Sequence, residues 1–137
     1  MSRILCIDYG LKRTGIAVTD PLRIIATGLT TVESNKLIPY LKDYFQREKV
    51  SLILIGDPRN MDDSATHATP LVKKCIKEIE KNFPGIPIEK VDERYTSKMA
   101  GQAMIEMGLK KKQRRNKALV DEIAATIMLQ EYLQKQG

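Results

Sequence analysis

Two short apolar runs constrain this chain most. Ile4-Leu5-Cys6-Ile7 ends on Asp8, and Leu52-Ile53-Leu54-Ile55 ends on Gly56-Asp57-Pro58. Each is too short for a helix and shows no polar alternation. That is the pattern of strands buried on both faces. Such strands need layers packed above and below them, so the expected class is α/β.

The rest of the chain supplies those layers. Tyr9 to Arg13 reads as a turn, Thr14 to Thr19 as a second strand forming a hairpin, and Ile24 to Val32 as a third. Leu37, Ile38, Leu41, Tyr44 and Phe45 have helical spacing, with Pro39 placed for a first turn. Leu71, Val72, Cys75, Ile76, Ile79 and Phe83 mark a second helix, and Ile86 to Val91 a short strand. Met99, Ala100, Ala103, Met104 and Met107 form a further helical face, read as core filling. Leu119, Val120, Ile123, Ala124, Ile127 and Met128 mark a C-terminal helix. The expected order is β-β-β-α-β-α-β-α-α. It folds into a mixed five-stranded sheet, with an antiparallel meander, parallel crossovers and helices on both faces.

At 137 residues the chain has the length of one domain, spanning 1–137, and is too short for a two-lobed ATPase. Nothing approaches the ~18 apolar residues of a membrane span, and the N-terminus lacks signal-peptide features. A cytoplasmic protein is expected. Cys6 and Cys75 sit in apolar patterns and read as buried thiols, with neither a disulfide framework nor metal-ligand spacing. The sole histidine, His67, reads as an ordinary helix residue and disfavours zinc.

The formal net charge is +6, and it is concentrated. Lys110, Lys111, Lys112, Arg114, Arg115 and Lys117 fall in eight residues without an acid; without them, basic and acidic residues balance at 17 each. Either this is a solvated charge run or it creates a local potential that attracts polyanions, nucleic acid first among them.

The acids carry the chemistry. Asp8 and Asp57 end expected parallel strands and Glu93 follows the last one, so all three belong at one sheet edge, where α/β ligand sites gather. Asp121 opens the C-terminal helix and reaches that edge if the helix crosses the sheet. Carboxylates converging without His or Cys favour Mg²⁺ or Mn²⁺, and two such ions suit phosphodiester hydrolysis. The structural alternatives are a helix-start role for Asp121 and ion pairs of Asp92 or Glu93 with Arg94 or a lysine.

Longer motifs go further. Ile7-Asp8-Tyr9-Gly10, Lys12-Arg13-Thr14-Gly15-Ile16-Ala17-Val18 and Asp20-Pro21 resemble the opening of the YqgF/RuvX family. Val91-Asp92-Glu93-Arg94 with Thr96-Ser97, and Val120-Asp121 with Ala124-Ala125, resemble its later blocks. The likeness runs along essentially the whole chain. It implies an RNase H-like fold, a nuclease acting on precursor 16S rRNA or on Holliday junctions, and catalytic, metal-holding acids at Asp8, Glu93 and Asp121. Lys12, Arg13, Arg94 and the 110–117 segment would then hold the nucleic acid. The implied chemistry is attack of water at phosphorus, leaving 5′-phosphate and 3′-hydroxyl ends.

Two departures from the family pattern stand out. Gly56-Asp57-Pro58 has an acid where many members are apolar, so Asp57 is either an extra metal ligand, as related resolvases have at this strand end, or a tolerated surface acid. Met61-Asp62-Asp63-Ser64 lacks a glycine common there, which removes an easy left-handed conformation.

Three functions follow in order. The first is a metal-dependent endonuclease trimming the 5′ end of precursor 16S rRNA, with a ribosomal particle as a candidate partner. The second is a resolvase of four-way DNA, which needs a dimer. The third is a non-catalytic nucleic-acid-binding or transcription-associated module. A monomer or weak homodimer is expected. Tyr9 and Tyr95 are candidate base-stacking platforms or simply packing residues.

Overall fold

The computed structural model describes residues 1–57, 69–92 and 116–136. Five strands form one sheet: β1 (Arg3–Tyr9), β2 (Arg13–Thr19), β3 (Ala26–Glu33), β4 (Val50–Asp57) and β5 (Ile88–Asp92). A 3₁₀ turn at Ser34–Lys36 leads into α1 (Leu37–Arg47), and α2 (Thr69–Asn82) and α3 (Lys117–Gln136) complete the described elements. The expected Met99–Met107 helix, the 61–64 loop, His67, Arg94 and Tyr95 lie outside the described residues.

The strand order is β3-β2-β1-β4-β5. β1, β2 and β3 form the expected antiparallel meander, in register from Leu5↔Val18 to Tyr9↔Thr14 across the first pair. β1, β4 and β5 run parallel, with Leu5↔Ile53 and Ile53↔Ile88 in register. The carboxyl ends of all three parallel strands therefore share one edge.

Side chains alternate across the sheet. Leu5, Ile7, Ile53 and Ile55 face one way and bury Leu37, Leu41 and Tyr44 of α1 with Val72, Cys75 and Ile79 of α2. Ile4, Cys6, Ala17 and Leu54 face the other way, against Ala125, Met128 and Leu129 of α3. Each large apolar side chain so buried contributes roughly 1.5–3 kcal/mol. This explains the two runs: α1 and α2 cover one side, α3 the other. Among the described residues, no helix is long and apolar enough to cross a membrane.

α3 begins earlier than its apolar pattern suggests. Asn116 caps it, its Oδ1 accepting the N–H groups of Ala118 at 3.1 Å and Leu119 at 3.4 Å. Asp121 thus sits in the body of the helix rather than at its opening, and the helix-start role for it falls away.

The amino-end edge of the sheet is tied down by structural contacts. Thr19 Oγ1 accepts the N–H of Ile4 at 3.0 Å. Arg23, with φ of 59°, donates to the carbonyl and hydroxyl of Ser2 and to the hydroxyl of Ser51. The N–H groups of Ile25 and Ile24 hold the Asp20 carboxyl below its usual range.

Both cysteines are buried, in separate clusters. Burial pushes the Cys75 thiol up from 9.0 to about 12, and Glu78 adds to the effect. Above pH 9 the unfolded chain loses a proton that the folded chain keeps, so this residue lowers stability as pH climbs from 9.0 toward about 12. The limit is ~1.4 kcal/mol per pH unit. Urea melts between pH 8 and pH 11 should show a steeper alkaline loss for wild type than for Cys75→Ala.

Candidate active site

Asp8 is the penultimate residue of β1, and its register partner on β2 is Gly15. It alternates with Ile4 and Cys6, which places it on the α3 side of the sheet. Gly15 is where α3 comes down. A Cβ built on Gly15 would collide with the backbone carbonyl of Asp121 and lie 2.9 Å from the Glu122 nitrogen. Gly15 has no positive φ, so space alone demands glycine here. Gly15 thus has Asp8, the penultimate residue of β1, as its register partner and the Asp121 backbone, from a helix laid over the sheet, directly above it.

Three further contacts seat the start of α3. Thr31 Oγ1 donates to the Ala118 carbonyl at 2.6 Å. The Glu122 side chain lies over Gly28, where a Cβ would be 2.7 Å from its Oε1. Arg13, at the start of β2, donates from Nε to Asp121 Oδ2 at 3.2 Å. This pair is neither buried nor free in solvent, with side-chain exposures of 37% for Arg13 and 27% for Asp121.

Asp57 ends β4 at the same sheet edge, register partner to Asp92. It alternates with Ile53 and Ile55, however, which face α1 and α2. The pleat therefore directs Asp57 and Asp8 to opposite faces. Tyr9 likewise faces away from Asp8, packed on the α1/α2 core, and burial raises its hydroxyl pKa. Packing accounts for it. Lys12 is exposed in the β1–β2 turn. Glu93, Arg94, Lys110, Lys111, Lys112, Arg114 and Arg115 lie outside the described residues. Lys117 is the first residue of α3.

The structure therefore pairs Asp121 with Arg13 and sets Asp8 against Gly15, the residue on which the Asp121 backbone lies. Gly15 is the site residue that the sequence reading left without a role. Its signal was present: an isolated glycine inside a strand marks a close backbone approach. Among the described residues, no group of three or more His, Cys, Asp and Glu is arranged to hold a metal ion. The pair Asp8 and Asp121 offers carboxylate oxygens only. That donor chemistry fits a hard divalent cation completed by a further acid, and the guanidinium on Asp121 shows that the position accepts positive charge.

The comparisons with known proteins agree with this architecture. A protein of Flavobacterium psychrophilum named "Putative pre-16S rRNA nuclease" is 59% identical over 133 residues, covering 97% of each chain. A protein of the same name from Phocaeicola vulgatus is 52% identical over 134 residues, 98% of this chain and 96% of that one. Among solved structures, Thermus thermophilus RuvC in complex with a Holliday junction substrate superposes with a TM-score of 0.57 at 14% identity, over 100% of this chain and 97% of that one. A second RuvC structure from T. thermophilus gives a TM-score of 0.56 at 13% identity, over 98% and 95%. At such identity the likeness speaks to the fold, which is RNase H-like. The RuvX family, described as Holliday junction resolvase, matches residues 2–135. With that match and those relatives, the chain belongs to the RuvX family.

Proposed function

We propose that this chain is a metal-dependent endonuclease that processes the 5′ end of precursor 16S rRNA in the cytoplasm. The placement of Asp8 and of the Asp121 backbone about Gly15, at the carboxyl edge of the parallel strands, carries this reading. The names of the relatives support the substrate.

Asp8 and Asp121 supply hard oxygen donors for Mg²⁺ or Mn²⁺, and Glu93, the next residue after β5, is the third. When bound, such ions stabilise charge on the attacking and leaving oxygens of a phosphodiester. The chain's own part is placement. The sheet fixes Asp8, the seat on Gly15 fixes Asp121, and Lys12 with the basic segment holds the RNA backbone. Asp57 stands outside this donor set because of its face. A ribosomal particle is the natural setting, with the protein a monomer or weak homodimer.

A second reading, resolution of four-way DNA, is favoured by the family description. The deciding experiment is Mn²⁺-dependent cleavage of a single-stranded RNA spanning the mature 16S 5′ end, beside a four-way DNA junction, with wild type and Asp8→Asn. RNA cleavage lost in Asp8→Asn supports the proposal. Cutting of the junction alone replaces it with the resolvase. Equal binding by both variants without cleavage, on assembled precursor particles as well, replaces it with a binding module.

The basic segment makes its own prediction. Neutralising Lys110, Lys111, Lys112, Arg114 and Arg115 should weaken RNA binding and flatten its salt dependence by ~0.7 log units per lost phosphate contact. Filter binding across a salt series measures this. An unchanged slope would place the RNA elsewhere.

A further inference from the structure

Arg13 and Asp121 were expected to do separate jobs, one at phosphate and one at metal, yet they bind each other. The Arg13 Nε sits 3.2 Å from Asp121 Oδ2, on a carboxylate that the proposed function assigns to a divalent ion. A guanidinium and a hard cation on the two oxygens of one carboxylate weaken each other, because they share its charge and the two positive charges repel at that range. Arg13 is also placed to do something else. It follows the exposed Lys12 and the turn that ends β1, at the same corner of the sheet as Asp8. A guanidinium has five N–H donors, and the Nε contact occupies one.

We propose that Arg13 is a resident counter-cation of Asp121 that competes with the divalent ion and, once displaced, binds the phosphodiester of the substrate. The proposal rests on Asp8 and Asp121 holding a metal. Its consequence is coupling. A phosphate that draws Arg13 away from Asp121 strengthens that carboxylate's hold on the ion, and an ion on Asp121 weakens its hold on Arg13 in favour of phosphate. By linkage, both effects have the same size. Metal and nucleic acid thus load together, and the site without RNA holds its metal weakly.

The test is Mn²⁺ affinity by calorimetry, without nucleic acid, for wild type, Arg13→Gln, Arg13→Met and Arg13→Lys. Asp8→Asn serves as the site control, and thermal melts confirm folding. Removing the charge in Arg13→Gln or Arg13→Met should tighten Mn²⁺ binding about two- to fivefold, the range for an ion pair of this exposure. Arg13→Lys should stay near wild type. In parallel, Ca²⁺ should raise the affinity of wild type for single-stranded RNA more than that of Arg13→Gln, read by fluorescence anisotropy. Unchanged or weaker Mn²⁺ binding in the folded Gln and Met variants would overturn the proposal and leave Arg13 as a brace for α3. Arg13→Lys binding as tightly as Arg13→Gln would also overturn it, since charge would then not be what competes. Mn²⁺ binding absent from wild type and from the folded Gln and Met variants alike, or unaffected by Asp8→Asn, would instead refute the metal site itself.

Discussion

Asp8→Asn should lower RNA cleavage by more than about a hundredfold, exceeding the 10–100-fold typical of outer-shell changes at metal sites, while the protein stays folded. The substitution keeps the side chain's size and removes its charge. Asp8 lies near the end of β1 on the α3 face, past the packed residues Ile4 and Cys6 of the apolar cluster. The amide is neutral and a poor ligand for a hard cation. Single-turnover cleavage in saturating Mn²⁺, with the thermal midpoint measured alongside, separates a chemical loss from an unfolded protein. Wild-type turnover from Asp8→Asn would remove Asp8 from the active site.

Gly15→Ala should be nearly as damaging, for a different reason. The added methyl would collide with the backbone of Asp121 and press on that of Glu122, and backbone has no rotamer to escape through. Overpacking of this kind costs about 1–3 kcal/mol. For a chain of this size that corresponds to a fall in melting temperature of roughly 3–10 °C. The cheapest relief is for α3 to lift, which carries Asp121 away from Asp8 and takes cleavage with it. Gly28→Ala is the matched control. There the obstacle is the Glu122 side chain, which can rotate, so the expected loss is less than about 1 kcal/mol. Equal melting temperatures for the two variants would mean that α3 is not seated on Gly15 as described.

The elements of this fold were largely legible because each left a local signature. The apolar runs at Ile4–Ile7 and Leu52–Ile55 became the central strands, and helical spacing at Leu37–Phe45 and Leu71–Phe83 became α1 and α2. The start of α3 was obscured because Lys117 and Ala118 carry no apolar pattern; the helix is set there by the Asn116 cap. The acids were legible as a set but not by face. Strands covered on both sides lack the polar alternation that tells one face from the other. Only the register shows that Asp57 follows the α1/α2 side and Asp8 the α3 side. The contact of Arg13 with Asp121 spans 108 residues, and no local rule predicts a pair so distant.

That separation bears on when a newly made chain becomes active. The β1–β2 hairpin can form as soon as it is synthesised, since its partners are close in sequence. The docking of α3 closes one of the longest loops in the molecule, and contacts of such high order form late in folding. A nascent chain still tethered to the ribosome, with α3 not yet extruded, holds Asp8 without Asp121. It is surrounded by the very class of RNA it is proposed to cut. Until α3 docks, Asp8 therefore lacks its partner from the far side of the fold, an order of assembly set by the chain's topology rather than by any inhibitor.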